Sequence, residues 1–207
     1  MLKIGVLVSG FGTNLQAIMD AIEKQGIPAE IVSVISSNPR AYAIERAAKN
    51  GIEAFCLSRR DFDDQKAYEL ALVEHFKKRE VGLVVLAGFM KVLGEDFVNA
   101  FENKIINIHP ALIPSFCGDG FYGLHVHEAA LEKGVKVTGA TVHFVTTVTD
   151  GGPIILQKAV EVKEGDTPEI LQKRVMEEAE WKIFPEAIRL FAEGKLEVKD
   201  GIVHIKE

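Results

Sequence analysis

Three side chains that could move a proton and polarise a carbonyl group stand in two short segments of the chain. Asn107 and His109 lie in the segment 107–116, and Asp150 opens the sequence Asp-Gly-Gly-Pro about forty positions later. An amide can donate to an oxyanion, an imidazole can carry positive charge beside it, and a carboxylate can assist a proton transfer. We therefore predict that Asn107, His109 and Asp150 form a catalytic group that acts on a carbonyl.

The position of His109 supports this prediction. Pro110 cannot donate a backbone hydrogen bond, so it ends the apolar run 105–108 and leaves His109 at the tip of a strand. Taken alone, such a histidine is more often structural. Ligands of open α/β sheets, however, bind beyond the carboxyl ends of the strands. Three segments should meet there, at residues 10–14, 88–93 and 107–110.

A glycine-rich turn after the first predicted strand could bind an anion. The sequence Ser-Gly-Phe-Gly-Thr-Asn at positions 9–14 leads into a helix, where backbone N–H groups can donate to a phosphate. Leu15 stands where a dinucleotide-binding fingerprint needs glycine, and the sequence lacks the Gly-Lys-Ser/Thr of a nucleoside-triphosphate loop. A turn that serves only packing is the alternative. The predicted monophosphate site consists of Gly10, Gly12, Thr13 and Asn14.

Short apolar runs alternate with helical periodicity through the first half of the chain. This order predicts βαβ units, and therefore an α/β fold with a mostly parallel central sheet and helices on both faces. The run 84–87 is apolar without alternation, as expected of a strand covered on both faces. The predicted strands are 3–8, 30–36, 54–56, 82–87 and 104–109, and the predicted helices are 14–24, 41–49, 64–78 and 95–100.

The pattern changes after residue 115. A short helix over 126–133 precedes two β-rich runs, at 136–146 and 153–161, which suit antiparallel or mixed strands at the edge of the same sheet. A long helix should follow over 167–193, and an Asp-Gly turn at 200–201 indicates a terminal hairpin.

Composition predicts one domain over residues 1–207, with a phosphate-binding half at 1–110 and a second half at 111–207. The chain has a formal net charge of -6. This charge disfavours nucleic-acid binding, because a protein that binds a phosphate backbone needs a stripe of basic side chains. No segment reaches the roughly 20 apolar residues that span a bilayer, and the first residues do not resemble a signal peptide. Cys56 and Cys117 form no paired motif. We therefore expect a cytoplasmic protein with no nucleic-acid or membrane partner.

The remaining histidines raise the possibility of a metal site. His125 and His127, together with His109, could form a three-imidazole zinc site, but their spacing matches no regular ligand motif. We therefore expect no metal. His127 is interpreted as a cap or surface residue, and His143 as a buried strand residue that supports Asp150. Solvent-exposed positions are expected for His75 and His204.

Five segments, in this order, resemble the folate-dependent formyltransferases of purine synthesis. The resemblance extends over nearly the whole chain, and the matching segments are 9–14, 86–90, 107–110, 123–127 and 141–155. It implies a Rossmann-like formyltransferase fold. It also implies 10-formyltetrahydrofolate as the formyl donor and glycinamide ribonucleotide as the acceptor, with no metal.

The resemblance assigns roles to positions that match the motifs of the family. Asn107, His109 and Asp150 match its catalytic residues, and Asp150 should favour the charged form of His109. Glu180 matches an acidic residue that holds the ribose hydroxyls. The residues implied for the acceptor are Gly10, Gly12, Thr13, Asn14, Gly88, Met90, Pro110 and Glu180. The residues implied for the folate are Phe89, Met90, Lys91, Val92, Leu93, Val142, His143, Val145, Thr149 and Asp150.

Some features depart from the family pattern or suit other functions. Lys91 stands where many members have arginine, Trp181 replaces a common histidine, and the role of the loop 116–122 is open. A formyltetrahydrofolate hydrolase would normally carry an extra N-terminal domain, and a tRNA formyltransferase a basic C-terminal module. A phosphate sensor without activity would not need the catalytic group. We expect the small-molecule transferase, as a monomer or a homodimer.

Overall fold

The computed structural model describes residues 1–206 as a mixed α/β structure. Helices and strands alternate along most of the chain, as predicted. The elements are β1 (Leu2–Val8), α1 (Thr13–Gln25), β2 (Ala29–Ser36), α2 (Tyr42–Lys49), β3 (Ala54–Cys56), a 3₁₀ turn (Arg59–Asp61), α3 (Gln65–Lys78), β4 (Leu83–Leu86), α4 (Glu95–Ala100), β5 (Ile105–His109), α5 (Leu124–Lys133), β6 (Val137–Phe144), β7 (Ile154–Glu161), α6 (Pro168–Val175), a π-helical turn (Met176–Glu180), α7 (Trp181–Ala192), β8 (Leu196–Lys199) and β9 (Ile202–Ile205).

Seven strands form one sheet in the order β3-β2-β1-β4-β5-β6-β7, and β8 pairs with β9 separately. β1 is parallel to β2 and β4, and β2 is parallel to β3, whereas β6 and β7 are antiparallel. β4 is buried along its whole length, which fits the unbroken apolar run predicted there. The predicted mostly parallel sheet with antiparallel C-terminal strands is confirmed.

The chain forms two compact units, one over Met1–Ile106 and the other from Asn107 onward. The first unit contains β1 to β4 with α1 to α4. In its core, the rings of Phe97 and Phe101 both pack against Phe76, with centroids 6.5 and 6.2 Å away. The prediction of a single domain, with halves at 1–110 and 111–207, stays a prediction.

The second unit contains β6 and β7, with α5, α6 and α7. Its core is apolar, and its fully buried side chains include Val142, Leu171, Val175, Phe184 and Ile188. No helix within residues 1–206 is both long and apolar enough to cross a bilayer.

The predicted long helix over 167–193 is confirmed, and its middle turn is widened. It begins as expected, because the Thr167 hydroxyl caps α6 by accepting from the Ile170 N–H at 3.3 Å. The π-helical turn then separates α6 from α7. Pro185 lies in the second turn of α7, where it lacks the N–H that would bond the Trp181 carbonyl and crowds that carbonyl. The wider turn lies just before the crowded position.

The terminal hairpin is confirmed. Asp200 and Gly201 connect β8 to β9 with φ angles of 50° and 75°. Two successive left-handed residues make the kind of two-residue turn that matches the twist of paired strands.

The connection from β6 to β7 fixes the backbone of Asp150. Asp150 has a φ of 52°, in the left-handed region that few non-glycine residues adopt. The Phe144 N–H donates to the Pro153 carbonyl at 2.9 Å and closes the connection at its base. A Cβ on Gly152 would overlap the Phe144 carbonyl, so only glycine fits there.

We expect Gly152→Ala to lower the free energy of unfolding by about 3 kcal/mol or more, because the added methyl group meets backbone that cannot rotate away. Gly165→Ala is the matched control. Gly165 has a φ of 81° but open space around it, so only a backbone cost of about 1 kcal/mol remains. Urea unfolding of the parent and both variants measures the difference. Equal losses in the two variants would contradict the steric explanation.

Candidate active site

β5 and β6 carry three of the polar side chains that form the site. Residues two apart on a strand point to the same face, so Asn107 and His109 share one face of β5. His143 lies on β6, and Asp150 lies in the turn that follows this strand. His109 and His143 are only 4% and 2% exposed. The sequence therefore places polar side chains inside the second unit, where each needs a partner.

These side chains form one buried polar cluster. His109 Nδ1 lies 3.5 Å from Asp150 Oδ2, and His143 Nε2 lies 3.6 Å from Asp150 Oδ1. Asn107 Nδ2 lies 3.2 Å from His143 Nε2. The three predicted catalytic residues are thus brought together, and His143 is buried and faces Asp150 as expected. Their catalytic roles stay predictions.

Backbone carbonyls determine where the protons lie on both rings. A carbonyl oxygen only accepts, so His109 Nε2 donates to the Phe116 carbonyl at 2.8 Å, and His143 Nδ1 donates to the carbonyl of the next residue at 2.8 Å. In a neutral ring the other nitrogen then carries a lone pair. His109 turns this nitrogen toward Asp150, and the second nitrogen of His143 lies between Asp150 Oδ1 and the Asn107 amide.

Burial dominates the electrostatics of His109. It lowers the pKa of His109, against the opposing effects of the Asp150 charge and the Phe116 carbonyl. Burial alone would raise the pKa of Asp150, but the imidazoles of His143 and His109 and the N–H of Gly118 outweigh it and hold that pKa below its ordinary value. Near neutral pH the pair therefore rests as an ionised Asp150 and a neutral His109. As expected, the Asp150 charge favours the charged form of His109, but desolvation of the ring outweighs this attraction.

The backbone of the loop 116–118 holds both members of this pair. The Phe116 carbonyl accepts from His109, and the Gly118 N–H donates to Asp150 Oδ2 at 2.9 Å. Phe116 and Gly118 adopt left-handed φ angles of 48° and 85°. Sequence reasoning left the role of this loop open. Backbone contacts leave no signal in residue type, apart from the glycine that permits the turn.

A second positioning contact also escaped the sequence analysis. Thr141 is fully buried on β6, and its hydroxyl donates to the Ala111 carbonyl at 2.7 Å while accepting from the Ile113 N–H at 3.1 Å. Gln157 Nε2 also donates to the Thr141 hydroxyl oxygen, at 3.0 Å. These bonds tie the segment after His109 to β6. Threonine is common in strands, so its residue type alone indicated nothing more.

The predicted cap or surface position of His127 is wrong. It is 1% exposed, and neither ring nitrogen has a hydrogen-bond partner. Burial lowers its pKa to about 4, and the nearby His109 adds to this effect. His125 is instead exposed, and its Nδ1 lies 2.8 Å from Glu128 Oε2. Within residues 1–206, no group of three or more candidate side chains could hold a metal ion.

His75 is also less exposed than predicted. Its side chain is 16% exposed, its Nε2 lies 2.8 Å from Ser33 Oγ, and its ring packs edge-on against Phe55 at 4.9 Å. Its position on α3 predicts a solvent-facing side chain, whereas the ring of Phe55 on β3 covers it. His204 is exposed as expected.

The predicted phosphate turn follows β1 in the first unit. Gly12 is the N-cap of α1, with a φ of 72°, and it has no side chain that could bond the first N–H groups of the helix. Such a helix start suits an anion. Gly10 is exposed, Thr13 is half-buried, and Gly12 and Asn14 are buried.

The segment 88–93 follows β4 in the same unit. Gly88 has a φ of 73°, and the Met90 N–H donates to Ser9 Oγ at 2.9 Å, which joins this segment to the start of the phosphate turn. Exposure along the segment varies: Gly88, Met90, Lys91 and Val92 are exposed, Phe89 is half-buried, and Leu93 is buried.

The other predicted contact residues lie in the second unit. Val142 is fully buried on β6, and its contact with folate stays a prediction. Thr149 is exposed, Pro110 and Val145 are half-buried, and Glu180 is buried.

Comparison with known proteins identifies the family. The family model described as formyl transferase matches residues 2–188. The phosphoribosylglycinamide formyltransferase of Haemophilus influenzae is 40% identical over 205 residues, which are 99% of this chain and 94% of that protein. The trifunctional purine biosynthetic protein adenosine-3 of Drosophila pseudoobscura pseudoobscura is 43% identical over 196 residues. These are 94% of this chain but only 14% of that longer protein.

A solved structure agrees with the sequence comparisons. Glycinamide ribonucleotide transformylase 1 from Symbiobacterium toebii matches with a TM-score of 0.94 and 47% identity, over 100% of this chain and 95% of that one. The chain belongs to the formyl transferase family. Its Rossmann-like formyltransferase fold is the one that the resemblance implied.

We expect His127→Leu to make the protein less sensitive to acid. Unfolding returns the pKa of His127 from about 4 to its ordinary 6.5, so the unfolded chain binds a proton between these values and the folded chain does not. The parent therefore loses stability as the pH falls through this window, by on the order of 3 kcal/mol in all. The leucine variant lacks this loss.

Urea unfolding between about pH 7 and pH 5 measures this effect. At neutral pH the variant should also be more stable, because leucine removes a buried polar ring that has no partner. His204→Leu, at an exposed position, is the control. An equal pH slope in the parent and His127→Leu would refute the prediction.

Proposed function

We propose that this chain transfers the formyl group of 10-formyltetrahydrofolate to the amino group of glycinamide ribonucleotide in purine biosynthesis. The observation that carries the proposal is the cluster of the buried His109 with the half-buried Asn107 and Asp150, because formyl transfer needs an oxyanion donor and a group that moves a proton. The relatives from Haemophilus influenzae and Symbiobacterium toebii are enzymes of this kind, which supports the same substrates here.

We assign the two substrates to different residues. The acceptor's phosphate is assigned to the turn at 10–14 and its ribose to Glu180, with Gly88, Met90 and Pro110 as further acceptor contacts. The folate is assigned to the segment 89–93, Val142, His143, Val145, Thr149 and Asp150. Apart from the buried Leu93, Val142 and His143, these folate residues are exposed or half-exposed and can contact a ligand.

The reaction needs stabilisation of an oxyanion. The neutral amine of the acceptor attacks the formyl carbon, a C–N bond forms, and the carbonyl oxygen becomes negative. The Asn107 amide can donate to this oxygen, and His109 can add positive charge once it has taken up a proton. Each well-placed donor of this type lowers the activation free energy by about 3 kcal/mol.

The resting charge state suits a base. Neutral His109 can take the proton that the amine loses, and the ionised Asp150 stabilises the imidazolium that results. The proton then passes to the folate nitrogen as its bond to the formyl carbon breaks. The pair ends as it began, with no net gain or loss of protons.

Two narrower expectations belong to this proposal. We propose a cytoplasmic location, and a monomer or homodimer that acts on small molecules without nucleic acid. These follow from the substrates and from the acidic composition of the chain, whose formal net charge is -6.

The direct test follows loss of formylfolate by absorbance with purified protein, using glycinamide ribonucleotide, other amines and water as acceptors. The proposal requires fast transfer to glycinamide ribonucleotide and negligible consumption with water. Comparable consumption with water would indicate a hydrolase. Binding of the nucleotide without turnover would indicate a phosphate sensor, and either result would overturn the proposal.

We expect Asp150→Asn to lower kcat by about a hundredfold or more, with both KM values within a few-fold of the parent. Asparagine can still accept from the Gly118 N–H, but it lacks the charge that stabilises an imidazolium. Asp119→Asn, an exposed acid beside the same loop, is the matched control. A variant at position 150 with a rate within a few-fold of the parent would remove Asp150 from this role.

The pH profile gives a separate prediction. Protonation of the resting His109 removes the base, so kcat/KM should fall as the pH drops through the pKa of His109, which lies below its ordinary 6.5. The Asp150 charge opposes this lowering, so Asp150→Asn should shift the acid limb to a still lower pH. An acid limb at or above pH 6.5 in the parent would show that His109 rests in the charged form.

A further inference from the structure

Helix α2 donates hydrogen bonds to two consecutive backbone carbonyls of the proposed phosphate turn. The Ala43 N–H donates to the Gly10 carbonyl at 3.2 Å, and Arg46 Nε donates to the Phe11 carbonyl at 2.8 Å. Gly12 lies so close to this helix that a Cβ would stand 2.7 Å from Ala43 Cβ. The turn is therefore fixed against α2 at three successive residues.

These bonds determine where the N–H groups of the turn point. In a trans peptide, the carbonyl and the following N–H point in opposite directions. Because the carbonyls of Gly10 and Phe11 face α2, the N–H groups of Phe11 and Gly12 face away from it. Successive N–H groups turned to one side form the concave donor set that binds an anion.

Arg46 is itself held in place. Its Nη1 donates to Gln16 Oε1 at 3.3 Å, and its guanidinium lies 4.9 Å from the centre of the Tyr42 ring. Gln16 is fixed in turn, because its Nε2 donates to Asp20 Oδ1 at 2.8 Å. An arginine stacked on an aromatic face, with directed bonds from two of its nitrogens, keeps one orientation.

We propose that Arg46 is a positioning residue for the phosphate of the acceptor. It orients the N–H groups of the turn 10–14 before the phosphate arrives, and it does not touch the reacting atoms. This inference rests on the phosphate role that the proposed function gives to the same turn.

Arg46→Met tests the inference, because methionine keeps an apolar stem against Tyr42 but cannot bond the Phe11 carbonyl. The KM for glycinamide ribonucleotide should rise about tenfold, the typical effect of one hydrogen bond from a charged donor. The KM for formylfolate and kcat at saturating acceptor should stay within about twofold of the parent. Arg46→Lys keeps the charge without the guanidinium fork, so it should raise the KM for glycinamide ribonucleotide by a smaller factor.

Lys49→Met is the matched control. Lys49 lies on the same helix with its ammonium 5.4 Å from the centre of the Tyr42 ring, but it contacts Tyr42 Oη and Glu45 instead of the turn. Its removal takes away an equal charge and should leave all three constants unchanged. A rise in the acceptor KM equal to that of Arg46→Met would show a general charge effect and refute positioning.

An acceptor without phosphate separates positioning from general damage. With glycinamide riboside, Arg46→Met should match the parent in kcat/KM within about twofold, because no phosphate contact remains to be lost. Equal losses with both acceptors, or no loss with either, would overturn the role of Arg46. A parent enzyme that fails to formylate glycinamide ribonucleotide would instead overturn the proposed function, so the two failures are distinguishable.

Discussion

A carboxylate buried between two imidazoles is the interaction on which the second unit depends. The side chain of Asp150 is only 10% exposed, and a buried charge is costly unless neighbouring groups compensate for it. The Gly118 N–H donates to this carboxylate at 2.9 Å, and the His109 and His143 rings lie beside it. The left-handed backbone at Asp150 and the obligatory Gly152 then have a common explanation, since both place one carboxylate where these partners can reach it.

The same burial that makes Asp150 costly gives His109 its chemistry. An imidazole in water would be partly protonated near neutral pH, and a strong ion pair would keep it charged. Here desolvation of the ring wins over the attraction of Asp150. The ring therefore rests in its neutral form beside a negative charge. That charge stabilises the imidazolium once the ring has taken up a proton. Such a pair can accept a proton and return it at low cost.

The sequence predicted the positions of reactive side chains better than their state. Pro110 ends β5 beside His109, and two glycines follow Asp150, so local rules placed His109 at the end of a strand and Asp150 in a turn. Burial of His127 and the neutral form of His109 depend on packing from distant segments, which no local pattern records. The widened turn before α7 has a local cause instead, because Pro185 crowds a carbonyl only four residues earlier.

The supporting contacts follow one physical pattern in each unit taken by itself. In the second unit, the backbone of the loop 116–118 orients two reactive side chains. In the first, the side chain of Arg46 orients the backbone of a turn. Either way, a directional hydrogen bond made in advance removes conformational freedom that a ligand would otherwise have to restrict on binding. Groups of this kind never meet the reacting atoms, so the chemistry of the reaction does not reveal them, and their residue types are those of ordinary surface or turn positions. They become visible only when each carbonyl and N–H around a site is traced to its partner.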